Sequence, residues 1–178
     1  MAQKDTVMER SLAQKLMYKG IFDLKALYKV TYDWLISRGY EVHESKYKTI
    51  GKPFGREKQL NWQAYKKVTE FVAFWIYIDW NFNDAQEIEV VENGEKKTLT
   101  KALLFIQVQH AVELDWMRRF TKTELHRHML HFLHQWVLRK KIDTLWEDKL
   151  RFNCYALVNL MKETLDMSTK GNEHYDVW

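Results

Sequence analysis

The sequence predicts an α+β fold, in which an antiparallel β-meander of about four strands packs against two C-terminal helices. N-terminal helices are expected at the edge of this sheet or on its other face. Three observations predict the arrangement. An Asn-Gly pair at 93–94 lies between two long segments of β-forming residues, which is typical of a tight hairpin turn. Apolar and polar residues alternate on both sides of this turn, and apolar residues recur at helical spacing in the last third of the chain.

The strands of this hairpin are predicted to contain a β-bulge. Regular pairing about the turn places Ile88 opposite Leu99. Carried to the strand ends, the same pairing would place Phe74 beside Glu113, whereas a shift of one residue collects the apolar side chains on one face. We therefore predict a bulge near residues 83–86, with a true turn in that stretch as the alternative. The apolar face then consists of Val72, Phe74, Ile76, Ile78, Trp80, Phe82, Leu104, Ile106, Val108, His110, Val112, Leu114 and Trp116.

Two helices are predicted before the sheet. Met8, Leu12 and Leu16 are four residues apart, which predicts a short amphipathic helix over residues 7–18 that Gly20 ends.

The second of these helices carries both of its end signals. Asp23 is a favoured N-cap residue, and Gly39 suits the position just after the last turn. One face of this helix carries Leu24, Leu27, Tyr28, Thr31, Trp34 and Leu35.

Two further strands are predicted between this helix and the hairpin. Alternation begins at Tyr40 and Val42, and residues 51–57 contain the glycines and proline of a loop. A strand over residues 58–66 follows. Its inward side chains are Leu60, Trp62 and Ala64.

Two helices are predicted at the C-terminal end of one domain that spans residues 1–178. The first begins near Leu125 and buries Met129, Phe132, Leu133 and Trp136. The last covers roughly residues 142–167, and the tail over residues 168–178 is expected to be loose. The last helix buries Ile142, Trp146, Leu150, Leu157, Leu160 and Met161.

Composition excludes several classes of protein. The single cysteine, Cys154, excludes an internal disulfide and indicates a reducing, cytoplasmic location. No apolar run is long enough to cross a bilayer. No glycine-rich phosphate loop, GxSxG or CxxC motif occurs, so the sequence predicts no cofactor and leans against an enzyme.

A histidine-rich stretch, ELHRHMLHFLHQW, suggests a metal site. Glu124, His128 and His131 lie three and four residues apart and share one helical face, and their side chains are of the types that bind zinc. A solvated helix face and a subunit contact are the alternatives.

His110 is the one polar residue on the predicted apolar face. It is either a core histidine bonded to a tyrosine or a backbone carbonyl, or the floor of an apolar ligand pocket lined by Trp75, Trp80 and Tyr77.

Three carboxylates are predicted to lie on the opposite face. Glu113 and Asp115 are two residues apart on a strand, with Asp79 on the neighbouring strand. They are either an acid–base group or ordinary exposed side chains. Cys154 is predicted to be an inert core thiol.

The leading functional prediction is a non-enzymatic interaction or scaffold module that associates with itself through an aromatic strand surface. The chain contains 8 Trp, 9 Tyr and 9 Phe, more ring surface than one small core needs. One alternative is a small-ligand binder or enzyme with a pocket around His110. The other is peripheral binding to nucleic acid or an anionic membrane, which a net charge of +4 and a pI of about 9.0 permit.

Residues 34–48, WLISRGYEVHESKYK, together with the long aromatic hairpin and the paired C-terminal helices, resemble a family of small archaeal proteins. The resemblance covers most of the chain after residue 20. It implies this fold and no particular activity.

Overall fold

A computed structural model describes residues 11–52, 55–92, 95–119, 128, 132 and 142–167. Within these residues the elements are β1 (Gln14–Phe22), α1 (Leu24–Ser37), β2 (Glu41–Lys52), β3 (Gly55–Lys67), β4 (Val72–Glu92), β5 (Glu95–Leu114), a π-helical segment (Ile142–Glu147) and α2 (Asp148–Thr164). The described strands form a five-stranded antiparallel sheet in the order β1-β5-β4-β3-β2. The α+β class is confirmed, with one strand more than predicted.

The predicted β4–β5 register and its bulge are confirmed. Ile88 lies opposite Leu99, and Phe74 lies opposite Val112. The register shifts between Asn83 and Gln86, and β4 continues through this point, so the alternative of a true turn there is wrong. The bulge changes the parity of β4, and the apolar side chains therefore stay on one face.

Trp116 is the exception on the predicted apolar face. Strand β5 ends at Leu114. Beyond it the indole N–H of Trp116 donates to the carbonyl of Thr69 at 2.8 Å. The prediction that Trp116 continues the apolar face is wrong because the chain leaves the ladder before reaching it.

Strand β1 lies where the sequence predicted a helix. Gln14–Phe22 pairs with β5 along its whole length, and Gly20 lies inside the strand. Leu12, counted on the buried side of the predicted helix, is 96% exposed. The spacing of four residues misled the prediction because it is also a multiple of two, and so it suits a strand as well as a helix.

Helix α1 forms as predicted. The Asp23 carboxylate accepts the N–H of Ala26 at 3.0 Å and caps the helix, and Gly39 takes a φ of +76° after its last turn. Leu27, Thr31 and Leu35 are the buried side chains.

Both described helices pack against one face of the sheet. Tyr28 of α1 meets Trp62 of β3 edge-on at 4.5 Å. Trp146, before α2, meets Phe74 of β4 edge-on at 6.0 Å. Since the cross-strand rows of the sheet place Trp62 and Phe74 on the same face, α1 and α2 form one layer. The prediction of N-terminal helices at the edge or on the other face is therefore corrected for α1.

Helix α2 agrees with the prediction in its main contacts. Leu150, Leu157 and Met161 are buried, and Leu160 is only partly buried. The side chain of Ile142 lies outside the described residues.

The first C-terminal helix falls mostly outside the described residues. His128 and Phe132 are both helical, and Phe132 is 58% exposed instead of buried. Residues four apart lie on the same side of a helix, so an exposed His128 brings Phe132 to solvent with it. Among the described residues, no helix has the length and apolar character needed to span a bilayer.

We expect that Gly39→Ala lowers the free energy of unfolding by about 1 kcal/mol, because a Cβ strains a backbone with positive φ. Space is not the cause, since the nearest atom to an added Cβ is 3.9 Å away. Thermal unfolding should show a loss of about 2–4 °C. Gly39→Asn, which tolerates this conformation, should lose less, and an equal loss in both variants would contradict the explanation.

Candidate functional site

The structure does not bring together the four residues proposed to line a pocket. Trp80 and His110 lie on the face that the helices cover, and both are buried. Trp75 and Tyr77 lie on the opposite face, because neighbouring positions of a strand point to opposite sides. Two of the four residues therefore lie in the core and two lie on the opposite surface of the sheet.

His110 is a core residue that is hydrogen-bonded to Ser11, just before the start of β1. It is 4% exposed. Its Nδ1 lies 2.9 Å from Ser11 Oγ, and its backbone N–H donates to the same oxygen at 3.0 Å. The hydrogen bond between Ser11 Oγ and Nδ1 can be donated by either group, and the tautomer of the ring decides which. The core interpretation is supported, but the partner is a serine hydroxyl and not the expected tyrosine or carbonyl.

The electrostatic surroundings keep this imidazole neutral. Burial lowers the pKa of His110, and the positive charge of Arg151 lowers it further. Nε2 has no hydrogen-bond partner within the described part of the chain. A neutral ring held by one hydroxyl stabilises the junction of β1 with β5.

The side of the sheet that no described helix covers carries a group of three aromatic residues, Tyr65, Trp75 and Tyr77, which we call the aromatic cluster. The ring centroids of Tyr65 and Trp75 are 4.6 Å apart, and those of Trp75 and Tyr77 are 6.0 Å apart with planes parallel to within 7°. The indole N–H of Trp75 donates to Glu113 Oε2 at 2.7 Å. All three rings are partly exposed, so each retains surface for a partner.

The pKa of the Tyr65 phenol is raised at this position. Burial raises the pKa of Tyr65, and the negative charges of Glu113 and Glu41 raise it further. The phenol therefore stays protonated and able to donate a hydrogen bond at every physiological pH.

Uncharged amides surround the aromatic cluster on the same side of the sheet. They lie on the middle strands β3, β4 and β5 and are partly buried. Gln63 and Gln109 flank Tyr77 in one cross-strand row, and Asn61 and Gln107 flank Asp79 in the next. We call this side, with the aromatic cluster and these amides, the open face; its amides are Gln59, Asn61, Gln63, Asn81, Gln107 and Gln109.

Lysines border the open face on both sides. Lys15 and Lys19 of β1 lie in rows with Gln107 and Leu103, and both are exposed. Lys48 of β2 is exposed beside Gln59. A bulge between Glu44 and Lys46 reverses the parity of β2, and this irregularity is what places Lys48 on the open face.

The three carboxylates do not form an acid–base group. Asp115 lies beyond the end of β5 with a φ of 52°, and its Oδ1 accepts the N–H of Arg119 at 2.8 Å. Glu113 lies opposite Ala73, six residues from Asp79 on β4, which corresponds to about 20 Å. Asp79 accepts a hydrogen bond from Asn61 Nδ2. The predicted shared face of Glu113 and Asp115 is wrong because the strand ends between them.

The proposed metal ligands are only partly described. Glu124 and His131 lie outside the described residues, and His128 is exposed on a helix. Among described residues no group of three or more His, Cys, Asp or Glu side chains is suited to hold a metal ion. The metal site stays a prediction.

Cys154 is the core thiol that was predicted. It is fully buried, and burial raises the pKa of its thiol to about 12. It therefore stays protonated and unreactive.

Sequence reasoning missed Tyr65 and the amides of β3. The signal was present, because Gln59, Asn61, Gln63 and Tyr65 alternate with the buried Leu60, Trp62 and Ala64. The apolar side of this alternation identifies the core and says nothing about the use of the polar side. Nothing in the sequence pointed to Ser11, whose contact with His110 joins residues far apart in the chain.

No protein-family model matches the chain, and a search of curated proteins found no significant match. The resemblance to an archaeal family therefore stays a prediction.

We expect the stability of the protein to fall in mild acid because of His110. The unfolded chain takes up a proton at the ordinary histidine pKa of 6.5, whereas the folded protein takes it up only at lower pH. The free energy of unfolding should therefore decrease as the pH falls through 6.5, by at most about 1.4 kcal/mol per pH unit for this one group. The decrease ends below the folded pKa.

Urea unfolding of the wild type and of His110→Asn, at pH 7.5 and pH 5.5, measures this effect. Asparagine keeps an acceptor near Ser11 but takes up no proton. The variant should lose less stability between the two pH values, and equal losses would exclude His110 as the source.

Proposed function

We propose that the protein binds single-stranded nucleic acid on its open face. It remains a non-enzymatic binding module in this proposal, with an unpaired RNA or DNA strand as its partner. The observation that carries the proposal is a partly exposed aromatic cluster on the middle strands of a sheet, surrounded by uncharged amides and bordered by lysines.

The aromatic cluster suits bases that have left a duplex. Tyr65, Trp75 and Tyr77 keep ring surface exposed, and stacking of a base on an aromatic side chain contributes about 1–3 kcal/mol. One common RNA-binding module stacks two or three bases on aromatic side chains of a four-stranded sheet. In the described part of this chain, the aromatic cluster likewise lies on the sheet, on the face opposite the helices.

The amides suit the edges of the stacked bases. Each Asn or Gln side chain both donates and accepts hydrogen bonds, as base edges do. Gln63 and Gln109 lie on either side of Tyr77, within one strand spacing, about 5 Å. A base stacked on Tyr77 would therefore have amide groups on both sides.

The lysines suit the phosphates. Lys15 and Lys19 lie at one margin and Lys48 at the other, about 20 Å away across the strands. The interior carboxylates Asp79 and Glu113 each accept a hydrogen bond from a neighbouring side chain of the face. Positive charge at the margins and a pI of about 9.0 favour a polyanion over a neutral sugar chain.

The same features favour nucleic acid over self-association through the aromatic surface. Interfaces between identical subunits have apolar cores. The aromatic cluster adjoins Gln63, Gln109 and Glu113 instead. Membrane binding is less favoured, because amides and the carboxylates Asp79 and Glu113 share the centre of the open face with the aromatic rings.

We expect Tyr65→Ala to weaken binding of a labelled oligouridine RNA by about 5- to 150-fold, the loss of one stacking contact. Fluorescence anisotropy at low salt measures it on the full chain. Tyr155→Ala is the matched control, because Tyr155 is exposed on α2, in the helix layer on the other side of the sheet. Equal affinities of wild type and Tyr65→Ala, or binding to a neutral polysaccharide in place of RNA, would refute the proposal.

The salt dependence of the same binding tests the lysines. Each of Lys15→Gln and Lys48→Gln should reduce the slope of log affinity against log salt by about 0.7, because one fewer phosphate is neutralised. Lys149→Gln on α2 is the control and should leave the slope unchanged. Unchanged slopes in the first two variants would show that phosphates lie elsewhere.

A further inference from the structure

The two lateral edges of the sheet differ in how they resist pairing with another strand. The β2 edge contains a bulge between Glu44 and Lys46, a device that commonly blocks such pairing. Strand β1 pairs with β5 over nine residues without a bulge. In the described part of the chain no strand lies on the outer side of β1. Among the described residues, the β1 edge is therefore regular and unpaired.

The outward backbone groups of β1 follow from the neighbouring ladders. The N–H of Asp115 donates to the carbonyl of Phe71 at 2.7 Å, in the register of the β4–β5 pairing. Since backbone groups alternate along a strand, odd-numbered residues of β5 bond to β4 and even-numbered ones bond to β1. The β1 residues whose N–H and C=O groups face outward are therefore Lys15, Met17, Lys19 and Ile21.

Apolar side chains accompany these unpaired groups. Met17 is 66% exposed and Ile21 is 50% exposed. Both alternate with lysines on the open-face side of β1, in the order Lys15, Met17, Lys19, Ile21. An edge strand with exposed apolar residues and free backbone groups is a template for another strand.

We propose that β1 pairs antiparallel with β1 of a second copy of this chain, with the two-fold axis at Tyr18, to form one continuous sheet across the dimer. In this register Lys15 lies opposite the partner subunit's Ile21, and Met17 lies opposite the partner subunit's Lys19. Each of these pairs exchanges two hydrogen bonds. The two open faces then lie side by side on the same surface.

Charge selects this register. The pleat requires that odd-numbered residues face odd-numbered ones. A shift of two residues in one direction places Lys15 opposite the partner subunit's Lys19, and a shift in the other places Lys19 opposite the partner subunit's Lys19. Like charges directly opposite each other are destabilising. The register centred on Tyr18 is free of such lysine pairs.

The local packing of β1 accommodates the pairing. The Tyr18 ring lies over Gly20, where an added Cβ would be 2.8 Å from the hydroxyl oxygen. In the proposed register Gly20 lies opposite the partner subunit's Leu16 and has no side chain of its own. Among the described residues, the pairing displaces the hydrogen bond from the Tyr18 hydroxyl to the Ile21 carbonyl, which is long at 3.4 Å.

Met17→Pro tests the pairing of backbones. Proline removes an outward N–H that bonds to none of the described strands of the same chain, and proline is tolerated at such edge positions. Met17→Ala shortens the same side chain but keeps the N–H. Sedimentation velocity on the full chain, over a wide range of concentration, should show dimers for the wild type and Met17→Ala and monomers for Met17→Pro. Circular dichroism checks that the sheet is retained.

A pair of charge variants tests the register and does not depend on how proline is tolerated. Met17→Glu places a carboxylate opposite the partner subunit's Lys19 and should strengthen the dimer by about 2- to 30-fold, and Met17→Lys should weaken it by a similar factor. A wild type that stays monomeric at all concentrations, or Glu and Lys variants that change the dimer in the same direction, would overturn the proposal. RNA binding by the monomer can be measured separately, so the two proposals fail independently.

Discussion

The ladder between β4 and β5 is the constraint on which the rest of the structure depends. Along most of its length, one parity of side chain is apolar on both strands, from Val72 and Leu114 to Phe82 and Leu104. The bulge after Asn83 allows the hairpin to close at its turn while the apolar side chains of both strands stay on one face. Without it, either the turn or the core would be out of register, because a shift of one residue moves every side chain to the other face.

This ladder divides the chemistry of the chain between two faces. Side chains of one parity form the core with α1 and α2, and even the single histidine among them is kept neutral and bonded to Ser11. Side chains of the other parity form the open face, where aromatic rings and amides meet water. The same strands thus supply stability on one side and, in the proposed function, recognition on the other, so substitutions on the open face remove few core contacts.

The two proposals use different parts of this sheet. The open face supplies rings and amides for a single strand, whereas the β1 edge supplies backbone groups for a second copy. Edge pairing would bring Lys15 and Lys19 of both copies to the middle of a wider face. Lysines that border one open face would then lie between two, where a polyanion can neutralise them.

The sequence by itself determined the elements whose pattern is local. Alternation and the Asn-Gly pair predicted the β4–β5 register and the bulge, and Asp23 and Gly39 predicted the ends of α1. Such signals are carried by residues near one another in the chain. Only the tertiary structure decided that Gln14–Phe22 is a strand, because the spacing of its apolar residues suits a helix equally well. Pairing with the free edge that β5 would otherwise expose selects the strand. Tertiary structure also placed α1 on the same face as α2, separated Trp75 from His110, and joined Tyr65 to Trp75, since contacts between distant segments depend on which strands become neighbours.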